Sequence, residues 1–148
     1  MKKILLTTSA ISLFLVFSCK KSDSGSTGGT PAPKTVASLT GTYKLTAQTL
    51  STNGVVVDEY ATVLQPCERD NLATLKSDLT YVGTDDGIVC DPPETSTGTW
   101  NISSNSDSLV IDNFATFIKS WDGKTLVLTD TEVANSITII SSETLVKQ

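Results

Sequence analysis

Histidine is missing from all 148 residues. The side chain that most often serves as a general base near neutral pH is therefore unavailable, and so is a common zinc ligand. No Ser-x-x-Lys stands beyond residue 37, and Gly-x-Ser-x-Gly is absent, so two familiar routes to an activated serine are closed as well. Basic charge is scarce in the same region. Residues 38–148 hold six basic residues against fifteen acids, a balance of −9, while residues 1–37 hold five lysines and Asp23, a balance of +4. An acidic domain repels phosphate backbones, which argues against nucleic acid as a partner. Long apolar runs are lacking too. The one candidate, Ile4 to Phe17, is interrupted by Thr7, Thr8, Ser9 and Ser12 and falls short of the ~20 residues of a membrane span. Beyond it no helical period lasts more than about two turns.

What is present begins with Lys2 and Lys3, a basic patch ahead of that apolar run. This is the layout of a secretory signal over residues 1–18; an N-terminal membrane anchor or a buried helix is the competing reading. The run closes on Leu15-Val16-Phe17-Ser18-Cys19. Aliphatic Val16, small Ser18 and then Cys19 resemble the lipobox of bacterial lipoproteins. The resemblance implies that Cys19 becomes the first mature residue, with a diacylglyceryl group on its sulfur and a fatty acid such as palmitate on its amine. Burial of acyl chains is worth ~0.8 kcal/mol per CH₂, and two or more chains anchor stably where one does not. The partner expected from this is a bilayer, reached through the lipid on Cys19. In Gram-negative lipoproteins an Asp after the acylated cysteine goes with inner-membrane retention. Lys20 stands there instead, which favours the outer membrane, with the periplasmic or surface face left open.

Three cysteines are an odd number for an exported chain. With Cys19 committed to lipid, Cys67 and Cys90 form an even pair, and an oxidising compartment allows them to persist as a disulfide. Such a bridge closes a loop of 22 intervening residues (90 − 67 − 1), worth ~3 kcal/mol in the chain-entropy model. Two separate buried thiols are the alternative.

Residues 19–37 are rich in Gly, Ser, Thr and Pro, with nothing apolar repeating. They read as a tether between the lipid and a domain spanning 38–148. From Leu39 onward, short Thr-, Val-, Ile- and Leu-rich stretches alternate with turn residues. Expected strands run over 42–50, 55–57, 71–76, 79–83, 97–103, 108–112, 115–121 and 124–129, with one long strand or two shorter ones over 136–146. Tyr43, Leu45 and Ala47 are expected on one face, as are Trp100 with Ile102 and Leu109 with Ile111. Asn53-Gly54 and Asp122-Gly123 are hairpin signals. About eight strands at this spacing predict an all-β antiparallel barrel or sandwich.

Gly41-Thr42-Tyr43, Cys67-Glu68-Arg69-Asp70, Leu79-Thr80-Tyr81, Cys90, Gly98-Thr99-Trp100 and Trp121-Asp122-Gly123-Lys124-Thr125-Leu126 follow in that order. Together they resemble the lipocalin-like domain of small Gram-negative lipoproteins, over about residues 38–148. The resemblance implies an eight-stranded up-and-down barrel, often with a disulfide where Cys67 and Cys90 stand. Tyr43 departs from the tryptophan the family prefers, and the last strand lacks the family's aromatic and basic residues. The resemblance carries over no ligand-contact residue.

Other candidate chemistry is weaker. Asp85-Asp86-Gly87 with Asp91 and Glu94 offers oxygen ligands, but the spacing fits no calcium-loop pattern and reads as a solvated hairpin end. No metal and no cofactor is expected. The pairs Asp58-Glu59 and Glu68 with Asp70 read as surface carboxylates, and Arg69 as ordering its loop through a local carboxylate contact. Tyr43, Tyr60, Tyr81, Trp100, Phe114, Phe117 and Trp121 either fill the barrel or line a pocket. The sequence therefore predicts a lipid-anchored protein without catalysis, whose barrel binds a small apolar or amphipathic ligand. The alternative is a filled barrel that docks on an outer-membrane protein or a surface polymer.

Overall fold

The computed structural model describes residues 31–148; the expected signal segment and Cys19 lie outside the described residues. Nine strands form one antiparallel sheet: β1 Gly41–Thr52, β2 Val55–Asp58, β3 Leu72–Leu75, β4 Thr80–Thr84, β5 Ser96–Ile102, β6 Ser108–Ile111, β7 Phe114–Trp121, β8 Thr125–Ala134 and β9 Ile137–Lys147. Two one-turn helices, α1 Val36–Leu39 and α2 Glu59–Thr62, stand at its ends. Pairing of β1 with β9, from Tyr43 opposite Lys147 to Thr52 opposite Ile139, closes eight of the strands into a barrel. This settles barrel against sandwich. The ninth strand, β2, folds back on the far half of β1.

Hairpin chemistry sets this order. Two-residue turns of type I′, whose twist matches that of the strands, need positive φ at both central positions. Asn53 and Gly54 supply it at 49° and 86°, Asp112 and Asn113 at 47° and 73°, Asn135 and Ser136 at 51° and 66°. Only the first of these is a turn signal in the sequence alone. The last makes β8 longer than expected and leaves β9 as one strand of 11 residues.

The core follows the period-two rule. Leu39, Tyr43, Leu75, Trp100, Leu109, Ile118, Trp121, Leu126 and Leu128 form one buried cluster, with Ile102, Ile111 and Leu145 packed against it. Trp100 with Ile102 and Leu109 with Ile111 thus share the inner face. One face assignment is corrected. The register between β1 and β9 shifts between Leu45 and Ala47. This bulge at Thr46 turns Ala47 away from the interior and brings Gln48 in, opposite Glu143. A strict alternation cannot see an inserted residue.

One end of the barrel is closed. Helix α1 is capped by Thr35 in a capping box with Ser38. It drops Leu39, which has no exposed surface, onto Tyr43 and Trp121. The two rings meet at 6.2 Å between centroids. The plug extends upstream of residue 38, into the stretch whose composition reads as tether. The Ala32 backbone N–H donates to the Trp121 carbonyl at 2.9 Å, and Lys34 Nζ donates to the Ile118 carbonyl at 2.8 Å. Residues 31–148 thus hold the whole barrel, its plug and its core.

Candidate functional site: the open end of the barrel

The opposite end is not filled. Tyr43, Ala73, Gly83 and Ser96 are direct cross-strand neighbours on β1, β3, β4 and β5, so all four face inward with buried Tyr43. Three of them are small. Above the Tyr43 ring this row leaves a cavity of about 470 Å³, walled also by Leu45 and Leu145 and opening past Glu68, Asn71 and Glu94. A Cβ at Gly83 would meet the Ser96 hydroxyl, which would have to turn away from the space it now occupies.

The rim is built by two loops that the disulfide joins. Cys67, before β3, is bonded to Cys90, after β4, with Cα atoms 5.2 Å apart. Carboxylates hold the same loops by accepting from backbone N–H groups. Asp85 accepts from Cys90 at 2.9 Å and Glu94 at 3.0 Å, and Asp70 accepts from Ile88 at 2.8 Å. With its amide oriented to donate, Asn71 reaches Asp85 at 3.1 Å and the Cys67 carbonyl at 3.0 Å. Asp85, singled out above as a possible cation ligand, is thus occupied as a loop clasp. Arg69 also differs from expectation: it orders its loop through carbonyl oxygens. Its Nη2 donates to Ala61 at 3.0 Å and Leu64 at 2.8 Å, and its guanidinium lies 5.7 Å from the Tyr60 ring centre. Asp58 caps α2 by accepting from the Ala61 N–H at 3.0 Å, and Gln48 donates to Glu59 at 3.3 Å. Of the second pair, Asp70 is the clasp on the Ile88 N–H, and Glu68 accepts from the Gln65 N–H.

The wall is uneven. Strands β8, β9, β1 and β2 rise past the cavity as a tall apron. Inward registers there put Leu50, Val57 and Ile139 beside Asp130, Glu132, Ser141 and Glu143. Glu143 sits between Leu128 and Gln48, in a second hollow of about 210 Å³ shared with Thr116, Asp130 and Ser141. Burial there pushes its carboxyl above the usual range. The inward-facing lysine, Lys147, lies at the other end, over the Trp121 ring and donating to the Ser38 carbonyl at 3.2 Å.

The aromatic residues divide by position. Tyr43, Trp100 and Trp121 belong to the core and Tyr81 packs against it, while Phe114 and Phe117 are exposed. Of the seven aromatics weighed, Tyr43 alone lines the cavity. Its other walls are small or aliphatic residues that composition does not flag. Their signal was the register: alanine, glycine and serine facing one another on neighbouring strands.

The lipocalin-like domain model matches residues 39–146. The chain belongs to the lipocalin-like family. No curated protein matches it. The match takes in both bonded cysteines and every strand of the barrel, β9 as far as Val146, and the members of this family are generally non-enzymatic binding proteins.

Proposed function

We propose that this lipocalin-like chain is a lipid-anchored lipoprotein that binds a small apolar or amphipathic molecule in the open end of its barrel, without catalysis. The observation that carries the reading is the cavity of about 470 Å³ above Tyr43. A barrel of this size can fill its interior with side chains; this one spends Ala73, Gly83 and Ser96 where larger residues would fill it. Such a volume is at the small end of ligand pockets.

Native mass spectrometry of residues 31–148 tests the binding role. A small molecule retained by the protein, and displaced by the neutral probe N-phenyl-1-naphthylamine, is expected. Ala73→Leu, which places a branched side chain into the cavity, is expected to abolish probe binding in a protein that still folds. Full probe binding by that variant would refute the cavity as the site. The anchoring reading is supported by Val16, Ser18 and Cys19, and the outer-membrane reading by Lys20 after the cysteine. Labelled palmitate is expected to enter the full chain in a Gram-negative host but not Cys19→Ala.

A second reading has its own observation. Among the described residues the outer edge of β2 pairs with no strand, and Val55, Val56 and Val57 on it are 69 %, 64 % and 47 % exposed. A bare apolar edge is a template for strand addition, and here an outer-membrane protein would dock. Loss of a co-purifying partner on Val56→Lys, with probe binding retained, would favour that role.

A further inference from the structure

We propose that the ligand of this barrel is an amphiphile with a cationic head: its apolar part lies on Tyr43, Leu45 and Leu145, and its head stands at the mouth between Glu68 and Glu94. The inference rests on the reading of the cavity as a ligand site and adds the sign of the ligand's charge.

The argument is one of charge placement around a single cavity. Glu68 and Glu94 are the charged side chains that line it. The nearest arginine in sequence, Arg69, is turned onto the Ala61 and Leu64 carbonyls and is not part of the lining. Lys44 neighbours Tyr43 on β1 and so faces outward by the strand alternation. Lys147, which faces inward, is at the plugged end, its ammonium held by the Ser38 carbonyl. The apron above the mouth adds Asp130, Glu132 and Glu143 on its inner side, interleaved with Leu50 and Ile139. A molecule entering the barrel therefore meets apolar surface and negative charge together. A carboxylate- or phosphate-headed lipid would bring like charge into a partly desolvated mouth, where repulsion is less screened than in bulk water. An ammonium or guanidinium head would find partners there without displacing an existing cation.

The test is competition against N-phenyl-1-naphthylamine on residues 31–148, using three ligands of one chain length: decyltrimethylammonium, decanol and decanoate. Decyltrimethylammonium is expected to displace the probe at roughly tenfold lower concentration than decanoate, with decanol between, as two partly exposed charge contacts would give. Two further results are required. The ratio must shrink as salt rises, because the mouth is open. It must also shrink in Glu68→Gln/Glu94→Gln while surviving in Asp107→Asn, which removes one carboxylate from the β5–β6 turn at the plugged end. Circular dichroism checks that the double variant folds, and the salt series on the unaltered chain decides the matter if it does not. Decanoate binding as well as the cation, or a ratio indifferent to salt or to the double substitution, overturns the cationic head and leaves the cavity role standing. Failure of all three ligands and of the probe to bind overturns the cavity reading itself.

Discussion

The phenolic hydroxyl of Tyr43 lies 2.7 Å from the carbonyl oxygen of Leu39 and donates to it, tying the first strand to the helical turn that plugs the barrel. Both residues are buried, at 2 % and 0 % exposure. Tyr43→Phe keeps the ring and its contact with Trp121 but leaves the Leu39 carbonyl without that donor. A buried acceptor stripped of its partner costs about 1–3 kcal/mol. For a domain of this size the melting temperature should fall by roughly 3–6 °C per kcal/mol. The same substitution reports on alkaline stability. Burial pushes the Tyr43 hydroxyl up to about 12, against an ordinary 10. The stability linked to keeping it neutral is fully present below pH 10 and is lost as pH rises from 10 toward 12. Unfolding curves across that window should fall less steeply for Tyr43→Phe than for the unaltered chain.

Glu143 gives the opposite lesson, a residue kept at a cost. Its carboxyl is raised by desolvation alone, so the fold disfavours the charged form. The linked stability is greatest below the unfolded value and declines as pH rises through the raised, folded one. Glu143→Gln keeps the shape and removes the charge. It should stabilise the protein by a few degrees at pH 7 and make no difference at pH 3.5, where the native glutamate is protonated. Equal melting temperatures for the two proteins at pH 7 would show that Glu143 is better solvated than its place between Leu128 and Gln48 indicates.

Gly98 is needed for a network across three strands. Asp112, at the β6–β7 turn, accepts from the Thr99 N–H at 2.8 Å, the Thr99 hydroxyl at 3.2 Å and the Tyr81 hydroxyl at 3.1 Å. The Thr99 backbone N–H first, and then the Tyr81 and Thr99 hydroxyls, hold the Asp112 carboxyl below its usual range. A Cβ at position 98 would collide with that carboxylate and with the Tyr81 ring. Gly98→Ala should therefore destabilise by about 1–3 kcal/mol through overpacking, although its backbone is ordinary for a strand. Asp112→Asn at the same time should recover little, since the asparagine fills the same space. A Gly98→Ala protein as stable as the parent would mean that the Asp112 turn swings aside freely.

How far the sequence predicted this molecule depends on the element. Dense β-branched stretches and turn signals were enough for the strand count, because period and spacing survive without tertiary context. Trp100, Leu109 and their neighbours fell on the right face for the same reason. Ala47 did not, because a one-residue bulge reverses parity and nothing in Leu45-Thr46-Ala47 announces it. Helix α1 was illegible because four residues carry no period; its identity comes from what Leu39 covers. The cavity was hidden in another way. Aromatic residues were the natural candidates for a pocket, yet most of them pack the core or face solvent. The space comes from Ala73, Gly83 and Ser96 lying side by side, and that adjacency depends on the registers of three strand pairs. The cysteine pair was legible by counting, and its position at the cavity rim was not.

The Cys67–Cys90 bond and the Asp85 clasp hold the same loops but act on different states. The disulfide constrains the unfolded chain through a sequence separation of 23; the Asp85 carboxylate, bonded to the Cys90 and Glu94 N–H groups, acts only where those groups meet, in the folded protein. Cys67→Ala/Cys90→Ala should lower stability by about 3 kcal/mol. It should also raise the urea m-value, since an unlinked chain exposes more surface on unfolding. Asp85→Asn should lower stability by about 1–2 kcal/mol, through weaker acceptance of two backbone donors, with m unchanged. Urea titration of both variants and of the reduced parent separates the two effects. The reduced parent should follow the double alanine variant in both midpoint and slope. A double variant that lost stability with no change in m would place the contribution of the disulfide in the folded rim, and the aperture of the cavity would then depend on it directly.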